Sequence, residues 1–129
     1  LDLPKRYGVN IVQLGYDRYN AISSVQKFES AEEPIECVEI KQHSSVLHVP
    51  TKLLFEYILK KQFAYFNNRM LEINIQNARC TRDTNLNRYV NKKKSAGKVD
   101  MVVAVINAVY LLNVNELLSQ EDEFFVQMI

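Results

Sequence analysis

The stretch "VNIVQLGYDRYNAISSVQKFESAEEPIECVEIKQ", residues 9–42, decides how the chain is read. Val9–Tyr16 is β-branched and apolar and too short for a typical helix, so it predicts a buried strand that Asp17 ends. Ala21, Ile22, Val25 and Phe28 then recur on one helical face. Pro34 separates this helix from a second strand in "IECVEIKQ". A strand-helix-strand-helix order indicates an α/β fold with parallel strands. In such sheets, polar groups at the carboxyl ends of strands mark the binding crevice. Asp17 occupies that place.

Further along, Pro50 predicts the opening of an amphipathic helix over "TKLLFEYILKKQ". Leu53, Leu54, Tyr57 and Ile58 form its apolar stripe, and Lys52, Glu56, Lys60 and Lys61 its wet face. Residues 63–77 fit either a strand, from the alternation of Leu71, Ile73 and Ile75, or a short helix. "ARCTRDTNLNRYVNKK" reads as a basic β-hairpin with an Asn-rich turn, in which Asp83 is a turn residue. "SAGKVDMVVAVINAVYLL", residues 95–112, reads as an all-round apolar, buried helix from about Lys98 to Leu112. Ser95 is its expected cap, and Asp100 suits the positive end of its dipole. The tail "NELLSQEDEFFVQMI" is acidic with an apolar end and reads as a last helix or a partner-binding segment.

The 129 residues suffice for one compact domain with a core. Hydrophobic content of 47% and charged content of 24% indicate a globular chain rather than a disordered one. The longest apolar run, Met101–Leu112, is broken by Asn107 and falls short of the ~18–20 residues a membrane span needs, so no membrane is expected as a partner. No signal peptide is visible in "LDLPKRYG". Cys37 and Cys80 are too few for a disulfide framework, which points to a reduced, cytoplasmic setting. His43 and His48 lack a cysteine cluster, which argues against structural zinc, and both read as loop or capping residues. The net charge of +1 conceals an asymmetry. From Arg79 to Lys98 seven bases face one acid, a local +6, so the remaining nine bases and fourteen acids sum to −5. Such a basic run is either a solvated loop or a phosphate-backbone contact.

Four stretches in this order carry a resemblance: "LGYDRYNA" (14–21), "KQHSSVLHVPTKLLFEYI" (41–58), "NIQNARCTRDTNLNRYVNKKKSAGKVD" (74–100) and "VVAVINAV" (102–109). Together they resemble the C-terminal nuclease domain of the large terminase subunit of tailed bacteriophages, over roughly Tyr7–Leu112. The resemblance implies a ribonuclease H-like fold, a mixed sheet flanked by helices, in a single domain with a core of about 7–112 and an acidic tail over 113–129. It also implies that "NNRMLEINIQN" is helical. The implied function is an endonuclease of the bacterial host cytoplasm that cuts concatemeric viral DNA during genome packaging. It would use two Mg²⁺ or Mn²⁺ ions held by acidic residues. Residue by residue, Asp17 matches the carboxylate after the central parallel strand and Asp100 the carboxylate at the start of the last core helix. Both are expected catalytic and metal-ligating groups.

The implied substrate is double-stranded DNA, with Arg82, Arg88, Lys92, Lys93, Lys94 and Lys98 as expected backbone contacts. Portal protein and the small terminase subunit are the implied protein partners. The family's earlier first-strand aspartate would precede residue 1, because Asp2 in "LDLP" does not match it. On that reading the domain is N-terminally incomplete, and this chain alone cuts DNA poorly or not at all. No G-x-x-x-x-G-K-[ST] occurs among Gly8, Gly15 and Gly97, so no ATP site is expected. The alternative reading is a non-catalytic DNA-binding or terminase-assembly module that keeps the fold without a complete metal site.

Overall fold

A computed structural model describes residues 2–19 and 21–128, with side chains described as far as Gln120. The chain forms two compact units, Leu1–Lys41 and Gln42–Ile129.

The first unit contains α1 (Leu3–Tyr7), β1 (Gln13–Tyr16), α2 (Ile22–Glu29) and β2 (Glu36–Glu39). Pro4 suits the first turn of α1, and Gly8 ends it in the left-handed region at φ 63°, its N–H bonded to Pro4 O at 2.9 Å. The strands β1 and β2 pair in parallel with Tyr16 opposite Glu39, as the strand-helix-strand pattern predicts. Ile40 N–H extends the ladder to Tyr16 O at 2.8 Å, and the Ile40 side chain is buried. Val25 buries the inner face of α2 and Phe28 is half-buried. Ile22, expected on the same face, is exposed, because α2 begins only at that residue and presents it on the outside of the first turn.

The second unit contains α3 (Ser44–Leu59), α4 (Arg69–Asn77), the antiparallel hairpin β3 (Cys80–Arg82) and β4 (Arg88–Val90), and α5 (Asp100–Met128). The helix α3 starts six residues before Pro50 rather than at it. His43 caps it, its Nδ1 accepting from Ser45 N–H at 3.2 Å, while His48 Nδ1 lies 3.0 Å from Ser44 O. Pro50 sits inside the helix, where it cannot donate to Val46 O. Its ring is fully buried, and that burial offsets the missing bond. The buried stripe runs through Leu47, Thr51 and Leu54, with Leu53 and Tyr57 half-buried and Phe55 and Ile58 exposed.

The helix α4 resolves the ambiguity of residues 63–77 in favour of a helix. Its cap is Asn68, whose Oδ1 accepts from Leu71 N–H at 3.1 Å. The last helix runs much further than Leu112, and the part of the acidic tail through Met128 continues it. Among the described side chains α5 is not buried all round. Val102, Ile106 and Val109 form one buried stripe that packs on α3 and α4, whereas Ala104, Ala108 and Leu112 are exposed. Each buried aliphatic side chain of that stripe stabilises by about 1.5–3 kcal/mol relative to exposure. By length and composition, residues 100–120 also meet the requirement for a membrane-crossing helix, with a mean hydropathy of 1.7. The sequence expectation counted Asn107 as an interruption, but the aliphatic residues around it keep the mean high. The core helix of a soluble protein passes the same test.

Candidate nucleic-acid interface

The basic segment begins on the hairpin. Arg82 and Arg88 are register partners on β3 and β4, and both are exposed. Like charges directly opposite on a ladder repel, and an anion placed between or beside them would relieve that repulsion. The connecting turn is organised by Asp83. Its Oδ1 accepts from Asn85 N–H and Asn87 N–H, each at 2.9 Å, and its Oδ2 accepts from Asn87 Nδ2 at 3.0 Å. Ser44 Oγ also donates to Asp83 Oδ2, at 2.7 Å, which ties the turn to the start of α3. The Ser44 hydroxyl first, and then the turn amides, hold the Asp83 carboxyl down at a pKa of about 2. Asp83 is therefore the turn residue the sequence predicts, and its carboxylate is committed to structure.

After β4 the chain enters a knitted loop. Asn91 Oδ1 accepts from Lys93 N–H at 3.0 Å and Lys94 N–H at 3.2 Å, while Asn91 Nδ2 donates to Thr81 Oγ1 at 3.2 Å. Ser95 Oγ donates to Asn91 O and accepts from Arg79 N–H. Ala96 N–H donates to Asn77 O, and Asn77 Nδ2 donates to Lys98 O. These bonds fix the loop backbone while Lys92, Lys93, Lys94 and Lys98 remain exposed. Lys92 Nζ lies 3.7 Å from Asp100 Oδ1, an ion pair with both side chains well exposed.

Ser95 does not cap the last helix, because its hydroxyl is engaged within the loop. The helix opens at Asp100 behind the buried Val99. Its orphan Met101 N–H instead donates to Asn74 Oδ1 at 3.1 Å. Asn74 is 3% exposed, and its Nδ2 donates to Met70 O within α4. No local motif announces this cap, since its acceptor lies 27 residues upstream.

Of the sequence-predicted residues, Arg82, Arg88, Lys92, Lys93, Lys94, Lys98 and Asp100 all belong to the second unit, where the hairpin and the following loop gather them. Asp17 belongs to the first unit, exposed at the carboxyl end of β1. Among the described residues, no three of His, Cys, Asp and Glu come together in a group that could hold a metal ion. Sequence reasoning also missed the loop after α3, where Phe66 is 94% exposed between Lys60–Lys61 and Arg69. The available signal was a cluster of three aromatic residues flanked by bases in "KKQFAYFNNR".

Residues 5–116 match the model of a family described as "Terminase large subunit, endonuclease domain". Among solved structures, the crystal structure of the HK97 bacteriophage large terminase is similar, with a TM-score of 0.74 and 20% identity. The match covers 85% of this chain and 23% of that one, so the chain spans about a quarter of the length of the terminase it resembles. This likeness shows the fold, the ribonuclease H-like architecture expected from the sequence. A comparison with curated proteins gives no match.

Proposed function

Because the chain belongs to the family of terminase large-subunit endonuclease domains, we propose that it is the DNA-cutting domain of a phage or prophage packaging machine. The observation that carries this reading is the family match over residues 5–116, which takes in both the parallel β1–β2 unit and the basic hairpin and loop. The charge distribution supports it. A rigid loop that presents Lys92–Lys94 and Lys98, beside paired Arg82 and Arg88, suits a polyanion whose spacing is set by phosphates. These six bases are the proposed backbone contacts, and double-stranded DNA is the proposed substrate.

Asp17 and Asp100 are proposed, each on its own evidence, as acids required for cleavage. Asp17 ends a strand of a parallel pair, the place where α/β sheets carry their chemistry. Asp100 opens a helix in which Asn74, not Asp100, caps Met101 N–H, so its exposed carboxylate is not consumed as that cap. Mg²⁺ or Mn²⁺ is the proposed cation. Portal protein and the small terminase subunit are proposed partners of the parent machine, and the bacterial cytoplasm its proposed location.

A second reading, a DNA-binding or assembly module that does not cut, is favoured by one observation. Among the described residues, no three metal-ligating side chains come together in a group that could hold a metal ion. Nicking of supercoiled plasmid separates the two. The nuclease reading expects slow relaxation of plasmid with Mn²⁺ or Mg²⁺ that EDTA abolishes. Plasmid that is retarded on a gel but never nicked, with either ion, favours the second reading for this chain.

A further inference from the structure

We propose that the loop between α3 and α4 is a stacking platform for unpaired bases of a DNA strand, with Phe66 as its principal surface. The inference rests on the DNA-acting reading above and adds to it a site for single-stranded or locally opened DNA.

The loop is clamped at both ends. At its start, Gln62 N–H donates to Tyr57 O at 2.8 Å and Lys61 N–H to Ile58 O at 3.1 Å, the two bonds of a Schellman cap. Lys61 occupies the left-handed position of that cap at φ 55°, where glycine is the favoured residue. A cation is thus kept at the foot of the loop despite the backbone strain. At its end, the Asn68 side chain caps α4.

Between these fixed points the loop turns its aromatic residues outward. Phe66 is 94% exposed and Tyr65 46% exposed. Phe63 and Tyr65 stand with ring centroids 5.8 Å apart and a tilt of 31°, and Tyr65 Oη donates to Glu72 Oε1 at 3.2 Å, so one ring pair is braced behind Phe66. Lys60, Lys61 and Arg69, which flank the aromatic segment in sequence, are all exposed. Of these three bases, Arg69 is shared with Glu72 at 3.4 Å, which leaves a net positive rim. A bare aromatic ring in water is unfavourable. A nucleobase offers a flat π-face to cover it, and the adjoining phosphates match the cations. Cation-rimmed aromatic rings are the combination that single-stranded nucleic acids use, and stacking tolerates any base sequence. The rival occupant, an apolar protein surface, gives no role to the cations of the rim.

The protein contains no tryptophan, so Phe66→Trp installs a single reporter at the proposed contact. Because residue 66 is almost wholly exposed, neither this variant nor Phe66→Ala removes core packing. The probe is an oligodeoxythymidine of about 12 nucleotides at low salt. Stacking predicts strong quenching of the tryptophan on titration, and about a 5- to 100-fold loss of oligonucleotide affinity in Phe66→Ala by fluorescence anisotropy. Lys60→Gln with Lys61→Gln should weaken binding further and flatten its salt dependence. An oligonucleotide that binds without quenching, or that Phe66→Ala binds as the parent does, overturns the proposal, as does absence of binding at low salt. Plasmid nicking and duplex binding are measured in parallel. Quenching without nicking leaves the platform standing independently of the nuclease reading; nicking without quenching overturns the platform and leaves the nuclease reading standing.

Discussion

Replacing Asn74 by alanine removes the acceptor that opens the last helix. The Asn74 side chain is buried, it holds Met101 N–H at 3.1 Å, and it bonds Met70 O at 2.9 Å from the same amide. Loss of a helix cap costs about 0.5–2 kcal/mol. Leaving a half-buried N–H without its partner brings the cost to about 1–3 kcal/mol. With a urea dependence of about 1–3 kcal/mol per molar for a chain of this size, the unfolding midpoint should fall by about 1 M. Amide exchange should locate the damage, with Met101 N–H exchanging faster in Asn74→Ala than in the parent. Ser95→Ala is the contrast. It frees Arg79 N–H and removes one of the two bonds to Asn91 O, costs about 1 kcal/mol, and leaves Met101 exchange unchanged. A midpoint shift below about 0.2 M in Asn74→Ala, or faster Met101 exchange in Ser95→Ala instead, would refute the long-range cap.

Three further outcomes are expected. Substituting Lys92, Lys93 and Lys94 together by alanine should weaken duplex binding for every sequence and flatten its salt dependence by ~0.9 log unit per lost contact, ~2–3 units in all; an unchanged slope would show these lysines to be merely solvated. For Asp83 the folded-state pKa is depressed to about 2, so its carboxylate stabilises the fold above its ordinary value of 3.8 and loses that contribution as pH falls toward 2. The difference in urea midpoint between the parent and Asp83→Asn should therefore be full at pH 5 to 7 and shrink below pH 4, and a difference that grows on acidification would contradict the turn network. Gly97→Ala would set a Cβ 2.7 Å from Asn77 Nδ2, so Asn77 must release Lys98 O; thermal unfolding should register a loss of about 0.5–1.5 kcal/mol.

The parts of the fold legible in the sequence are those written in neighbouring residues. The strand before Asp17, the helix after it and the strand of "IECVEIKQ" follow from local periodicity, and the hairpin follows from its Asp and Asn turn chemistry. What the sequence concealed depends on distant partners. Pro50 carries a start signal for a helix, yet His43 supplies the cap and core burial of the proline ring lets the helix run through it. Ser95 has the right chemistry to cap α5, but Arg79 and Asn91 claim its hydroxyl and Asn74 takes the role from another helix. An apolar sequence marked α5 as buried on all sides, whereas among the described side chains the fully buried ones form the stripe facing α3 and α4. The basic cluster was visible as charge alone; its rigidity, which comes from Asn91 and Asn77, was not.

Plasmid nicking by Asp17→Asn and Asp100→Asn variants decides whether these two acids take part in cleavage. Both carboxylates are exposed, and Asp100 has only the exposed ion pair with Lys92 and a first-turn position on α5 to lose, together worth at most about 1 kcal/mol. Each variant should therefore unfold in urea close to the parent midpoint. The account predicts that the parent chain nicks supercoiled plasmid slowly with Mn²⁺ or Mg²⁺, that EDTA stops it, and that either substitution abolishes it while duplex binding through the lysine loop persists. Normal nicking by both folded variants would contradict the assignment of these two acids.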